Sequence, residues 1–282
     1  MNDFETIIDF GSKNLKLAVF DQAKNNIYST DQKITDNVEK SLNILIKNAE
    51  KHLSTHIDTA VILYDSPKFY VLDICIRKAF DHTVTIKKVY DNLIEEAQFF
   101  VSQNNFKDEI IHLDVNNILV DDNKQIYKIT DDIKIRSLVL EIKFICISKL
   151  LIEKISKKFK KNNLKILNLY CTSYIKSIFY NKKFASIDHI AFVDIGFERT
   201  SSLVFRNSKF ESFKSIPLGN NNITKDISEV LNLDLGYSED LKIKFNKNEN
   251  ELSFDKAKIN KLNPYSIILE KNKSIDLFKK II

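Results

Sequence analysis

The chain has no tryptophan and little glycine, proline or cysteine: 4, 3 and 3 in 282 residues. So little glycine and proline excludes a collagen-like or low-complexity chain, and no such linker interrupts it. The cysteines are Cys75, Cys146 and Cys171, and no two form a CxxC pair. A disulfide scaffold is excluded, and each thiol sits in or beside an apolar run. They read as buried, reduced cysteines of a cytoplasmic protein. No apolar run reaches the roughly 18 residues that a spanning helix needs. The N-terminus, MNDFETIIDFGSKN, lacks a basic region followed by an apolar one, so a signal peptide is not expected. The net charge of +5 is spread along the chain. No dense Arg/Lys patch interleaved with aromatics appears, so no nucleic-acid partner is expected.

What is present suits a soluble globular protein with a sizeable core. Hydrophobic residues make up 44% and charged residues 29%, and the length allows about two average domains. The opening, FETIIDFGSKNLKLAVFDQAKNNIYS, reads as strand, tight turn, strand, turn, strand, with Gly11 in the first turn. Then Val38, Leu42, Leu45 and Ala49 fall on one helical face, with Asp36 placed to cap it, and DTAVILY is a short apolar strand. A different rhythm begins near Thr83. It holds a strand, a helix, strands turning at Asp121-Asp122-Asn123, the long strand SLVLEIKFICIS and the amphipathic helix KLLIEKISKKFKK. This reads as an inserted α+β subdomain over 83–160. After a further strand and helix in 161–187, the opening pattern returns as HIAFVDIGFERTSSLVFRNSKFESFKSI. The chain thus carries an internal duplication of a three-strand-plus-helix unit, over 1–82 and again over 188–250, with a tail at 251–282.

Each copy holds an Asp-x-Gly turn. In Asp9-Phe10-Gly11-Ser12-Lys13-Asn14 a glycine allows close approach of a phosphate and a positive φ. Turn N–H groups form an anion nest, and an Asp just before the turn can hold the water shell of Mg²⁺. Alone, such a motif is usually only a turn. The second turn is Asp194-Ile195-Gly196, followed by Phe197-Glu198-Arg199-Thr200.

Two such turns in a duplicated unit resemble the actin, heat-shock-chaperone and sugar-kinase ATPase fold, in which two loops grip the phosphates from opposite sides of a cleft. The stretch SIPLGNNNITKDISEVLNLDLGYSEDLKIKF narrows the likeness to the bacterial cell-division protein family FtsA. The family pattern is Ile-Pro-x-Gly-Gly-x-x-Ile-Thr-x-Asp-Ile-Ala, then Ala-Glu-x-x-Lys. Ile216, Pro217, Gly219, Ile223, Thr224, Asp226, Ile227, Glu239 and Lys242 match it. IIHLDVNNILVDDN also resembles a stretch of the inserted subdomain of FtsA, with His112, Val120 and Asp121 in place. His112 by itself reads as a partly buried strand histidine.

The resemblance implies roles by position. Asp9, Gly11, Ser12 and Lys13 would lie in the first phosphate loop, and Asp194, Gly196 and Thr200 in the second. Asp9 and Asp194 would hold Mg²⁺ through water. Gly219 would form the glycine turn beside the nucleotide, and Glu239 and Lys242 would reach the ribose of ATP. Read without the family, Glu239 and Lys242 are an exposed i, i+3 helix pair worth a few tenths of a kcal/mol.

The sequence departs from the family in three places. The family's second loop reads Asp-Ile-Gly-Gly-Gly-Thr-Thr-Asp, so two glycines are replaced by Phe197 and Glu198. At positive φ each replacement would cost roughly 1–2 kcal/mol. A carboxylate about 4 Å from a phosphate charge would repel it by roughly 4 kcal/mol at an effective dielectric of 20, which Arg199 or Mg²⁺ could offset. The second glycine of the Gly-Gly turn is Asn220, a residue that tolerates the left-handed region. Finally, FtsA proteins continue further, with a Gly-rich loop under adenine and the surface that receives the tail of the tubulin-like protein FtsZ. No glycine follows Gly236 here, so an incomplete second lobe is expected and FtsZ is a doubtful partner. In the tail, Ile275, Phe278 and Ile282 share a helical face flanked by lysines, the character of the short membrane helix that ends FtsA proteins.

The expectation is an α/β protein of the actin-like ATPase fold with an FtsA-type insert. Its role would be a non-enzymatic division scaffold, peripheral on the cytoplasmic membrane face at the septum. It would associate with itself and with divisome proteins through the insert, with ATP and Mg²⁺ as conformational ligands. A pilus-assembly scaffold of the PilM type, a nucleotide-free pseudo-ATPase and an active ATPase or sugar kinase are the other classes.

Overall fold

The structure is a computed structural model that describes residues 4–246 apart from 36, 122 and 123. The expected membrane stripe of Ile275, Phe278 and Ile282 lies outside the described residues. So does Asp36, and the N-cap of the first helix is its neighbour Asn37. The Asn37 Oδ1 accepts from the N–H groups of Glu39 and Lys40, at 2.9 and 3.1 Å.

Strands β1 (Phe4–Phe10), β2 (Asn14–Asp21) and β3 (Asn26–Lys33) are followed by α1 (Val38–Leu53) and β4 (Thr59–Tyr64). β1 and β2 are antiparallel, as are β2 and β3, while β4 lies parallel to β1 on its other side. Period-two alternation fixes which face is buried: Leu15, Leu17 and Val19 go inward while Asn14 and Lys16 stay exposed. The buried side chains of α1, Leu42, Leu45, Ile46 and Ala49, close this core.

A second sheet is built from β5 (Tyr70–Thr85), β6 (Asp108–Val120), β7 (Lys124–Ile126) and β8 (Lys134–Ser148), in the order β5-β8-β6-β7. Helix α2 (Ile86–Asn104) covers one face through Ile86, Leu93, Ala97 and Val101. The inserted layer therefore opens at Tyr70, ahead of the expected 83. Its far end is also earlier than expected. Helix α3 (Lys149–Lys160) buries Ile155 and Phe159 in the core of the first sheet, not in that of the insert. Strand β9 (Lys165–Cys171) then joins the first sheet parallel to β4, giving the order β3-β2-β1-β4-β9.

After α4 (Thr172–Lys183), the strands β10 (His189–Ile195), β11 (Thr200–Arg206) and β12 (Lys209–Ile216) form a three-stranded sheet, and α5 (Asn220–Leu231) and α6 (Leu235–Asn246) end the described chain. The order of three strands then a helix therefore occurs twice. The described residues divide into two compact units, one of residues 4–194 with Ser201–Ser215, the other of Ile195–Thr200 with residues 216–246. Most of the second strand triplet thus belongs to the first unit, and the expected boundary at 188 does not hold. The cause is its aromatic face: Leu203, Phe205, Phe210 and Phe213 share one core with Phe69, Ile145, Ile147, Cys171 and Tyr174.

Cys146 and Cys171 are buried as expected, and burial pushes the Cys146 thiol up to about 12. Cys75 is exposed, contrary to expectation. The alternation of β5 places Ile74 and Ile76 toward the helix-covered core and Cys75 on the opposite face.

His112 ties β6 to the end of β9. Its Nε2 accepts the Cys171 N–H at 2.9 Å, and its ring packs against Tyr170 and Tyr174. Burial holds its pKa down to about 4, below the ordinary 6.5. The fold therefore favours the neutral ring. Its contribution is fully present above pH 6.5 and is lost as pH falls toward 4, about 3 kcal/mol in all. In urea titrations at pH 7, 5.5 and 4.5, His112→Gln, which keeps an acceptor and cannot titrate, should lose about 2 kcal/mol less stability over that range than the parent chain.

Candidate functional site

The first loop joins β1 to β2. Asp9 is half-buried near the end of β1, in register with Lys16. The Lys13 carbonyl accepts the Ile34 N–H at 2.8 Å. A Cβ on Gly11 would lie 2.7 Å from the Asn14 carbonyl oxygen. Glycine is thus required by close approach within the turn. None of the four glycines has a positive φ, so the conformational freedom expected at Gly11 is not what the position uses.

Asp194, at the end of β10, belongs to the same unit as Asp9. Its carboxylate accepts the Ser173 hydroxyl at 3.1 Å and lies 3.6 Å from the Lys176 ammonium. Asp65, just after β4, takes the Ser173 N–H at 3.1 Å and lies 3.0 Å from the same hydroxyl. The start of α4 thus brings Asp65, Ser173, Asp194 and Lys176 together. Of these, only Asp194 was legible from sequence. The signal for the others was an Asp closing a strand and a Ser in the first turn of a helix, both of which also read as ordinary capping. Among the described residues no group of three or more His, Cys, Asp or Glu is placed to hold a metal ion.

The second loop, 196–199, lies in the other unit with α5 and α6. The Gly196 N–H donates to the Arg199 carbonyl at 2.8 Å and closes the turn. Phe197, Glu198 and Asn220 all have negative φ. The expected left-handed strain is therefore absent, because the turn has a shape that any residue adopts. Glu198 is exposed.

Helix α5 starts directly on this loop. The N–H groups of Asn220 and Asn221 donate to the carbonyls of Gly196 and Phe197, at 2.9 and 2.7 Å, and the Asn222 N–H donates to Gly219 O at 2.9 Å. Asn222 Oδ1 accepts the Gly219 N–H at 2.9 Å, and the Thr200 hydroxyl donates to Leu218 O at 2.8 Å. A free helix N-terminus is an anion site. Here these donors already have carbonyl partners. A Cβ on Gly219 would lie 2.6 Å from the oxygens of Gly196 and Phe197 and 2.7 Å from Arg199 N.

Glu239 and Lys242 do meet on α6, 2.7 Å apart, but not as an exposed pair: their side chains are only 18% and 13% exposed. Lys242 also donates to Thr224 Oγ1 at 2.7 Å and to Asn220 O at 3.0 Å, and the Thr224 hydroxyl donates to Glu239 at 2.5 Å. Thr224 matched the sequence pattern, yet its bridging role was not legible, because it depends on the angle between two helices. Around the second loop, the leading N–H groups of α5, the Thr200 hydroxyl and the Lys242 ammonium are all engaged inside the unit.

A chain of a PilM-PilN type IV pilus biogenesis complex superposes with a TM-score of 0.60 at 14% identity, covering 86% of this chain and 70% of that one. The fold is that of the actin-like ATPases. Within that class, part of the chain resembles the FtsA family. The sequence profile of the family "Cell division protein FtsA" matches residues 191–268. FtsA of Helicobacter pylori strain ATCC 700392 / 26695 is 29% identical over 104 residues, which is 37% of this chain and 20% of that protein, and FtsA of strain J99 gives the same figures. The matched part spans a fifth of the length of these curated relatives.

The geometry makes Gly219 the most constrained position of the second loop. Gly219→Ala should lower stability by about 3 kcal/mol, because its Cβ would meet backbone on three sides. Gly236→Ala, whose Cβ would meet only the Asp234 side chain at 3.2 Å, should change the thermal melt little.

Proposed function

We propose that this chain is a scaffold of bacterial cell division, FtsA-like in role as well as in sequence, peripheral on the cytoplasmic membrane face at the septum. It associates with itself and contacts divisome proteins through the inserted sheet β5-β8-β6-β7. Steady-state ATP hydrolysis is not part of this role. The observation that carries the reading is the FtsA profile match across 191–268, which takes in Asp194, Gly196, Thr200, Gly219, Glu239 and Lys242. Attachment is assigned to the sequence stripe Ile275, Phe278 and Ile282. No helix among the described residues is long and apolar enough to cross a membrane.

A fluorescent fusion expressed in its native cells should form a band at mid-cell before constriction. A diffuse signal, or foci confined to the poles, would sink the proposal. Attachment is read separately: Phe278→Glu combined with Ile282→Glu should reduce co-sedimentation with anionic lipid vesicles about tenfold or more, since each apolar side chain contributes roughly 1.5–3 kcal/mol when buried.

A further inference from the structure

The positions that the FtsA resemblance assigns to a nucleotide are used differently in residues 195–246. An ammonium group has three protons. Lys242 donates them to Asn220 O, Thr224 Oγ1 and Glu239 Oε2, at 3.0, 2.7 and 2.7 Å. The Thr224 hydroxyl accepts from Lys242 and donates to the same Glu239 oxygen. Thr224 is 3% exposed, so this network is sheltered from water. One turn earlier, the three leading N–H groups of α5 are held by carbonyls of Gly196, Phe197 and Gly219. We infer that Thr224, Glu239 and Lys242 form an internal brace that fixes α6 on α5 without nucleotide, and that ATP is not a ligand of these residues.

The chemistry favours the brace over a ribose site. Two of the three Lys242 bonds are 2.7 Å long, and each bond to Glu239 has a charged acceptor, the stronger kind of hydrogen bond. A ribose hydroxyl that took the Glu239 Oε2 position would displace the Thr224 hydroxyl from its short bond and leave it only the longer one to Asn220 O, at 3.3 Å. A phosphate at the start of α5 would have to displace two carbonyls of its own loop. The inference rests on the FtsA-like reading only for which residues are compared, and not for the contacts.

The test uses the full chain, with thermal melts and calorimetric titration of Mg-ATP. At about 1 mM, Mg-ATP on a site of about 10 μM affinity would raise the melting temperature by roughly 8 °C. The expected shift is below about 1 °C, with no binding heat. Without nucleotide, Thr224→Val and Lys242→Met should each lower the melting temperature by about 3–6 °C. The double variant should fall no further than the worse single, as members of one network do. Thr224→Val removes only a hydroxyl and keeps the test readable if Lys242→Met fails to fold. A rise of several degrees with Mg-ATP, abolished by Lys242→Met, would overturn the brace. So would single-variant effects that simply add. Mid-cell banding is read independently. ATP binding that Lys242→Met abolishes, with an intact band, refutes only the brace, and loss of the band without such binding refutes only the scaffold.

Discussion

The first N–H groups of a helix have no partner within it, and something else must satisfy them. In residues 195–246 that requirement sets the positions of the other parts. The carbonyls of Gly196 and Phe197 meet the first two N–H groups of α5, so the loop and the helix start sit in backbone contact. Only a residue without Cβ fits between them, and that residue is Gly219. Once α5 is seated, Thr224 stands one turn on, facing Glu239 and Lys242. The return of the chain to that point is also specified. Asn232 ends α5 in the left-handed region, Leu233 N–H reaches back to Ser228 O, and Asp234 accepts the Tyr237 N–H to begin α6. Among the described residues the apolar cluster of Ile227, Leu233 and Leu241, flanked by Ile223, Leu231 and Tyr237, packs beside these polar contacts.

The larger unit is organised by β8. Along most of its length, alternate residues Leu138, Leu140, Ile142, Phe144 and Cys146 pack under α2. Near its end the other face, through Ile145 and Ile147, enters the aromatic core shared with β11 and β12. One strand thus serves two cores, and shifting it by one residue would empty both. His112 adds a polar tie in the same region, from β6 to the end of β9. Its neutral ring is maintained by the aromatic packing that also makes protonation costly.

The alternation of apolar residues made most strands readable, as in Leu15-Leu17-Val19, and the helical face of α1 was readable from Leu42, Leu45 and Ala49. The repeated strand triplet was readable because the Asp-x-Gly turns mark it twice. The limits of the insert were not. β5 starts at Tyr70 in a stretch whose alternation resembles that of any half-buried strand, and nothing local says which sheet it will join. Helix α3 was assigned to the insert by adjacency, whereas Ile155 and Phe159 choose the core they fill by tertiary packing. The site showed the same division. The residues that meet in the second unit, Gly219, Glu239 and Lys242, were legible by pattern. Their partners were not, since Thr224, Asn220 and the loop carbonyls become partners only through the geometry of two helices and a turn.

That geometry also accounts for Phe197 and Glu198. A loop that presents N–H groups to a phosphate needs small residues and left-handed conformations. A loop that presents carbonyls to a helix start needs neither, because carbonyl direction in an ordinary turn does not depend on the side chain. Phe197 and Glu198 accordingly sit at negative φ, Glu198 is exposed, and the four-residue turn is closed by its own Gly196–Arg199 bond. The glycine requirement has not vanished; it is concentrated at Gly219, where helix and loop backbones touch. Asn220 can stand next to it because it is already the first helical residue and needs only its N–H. The same contact therefore requires glycine at Gly219, and releases Phe197, Glu198 and Asn220, for a single steric reason.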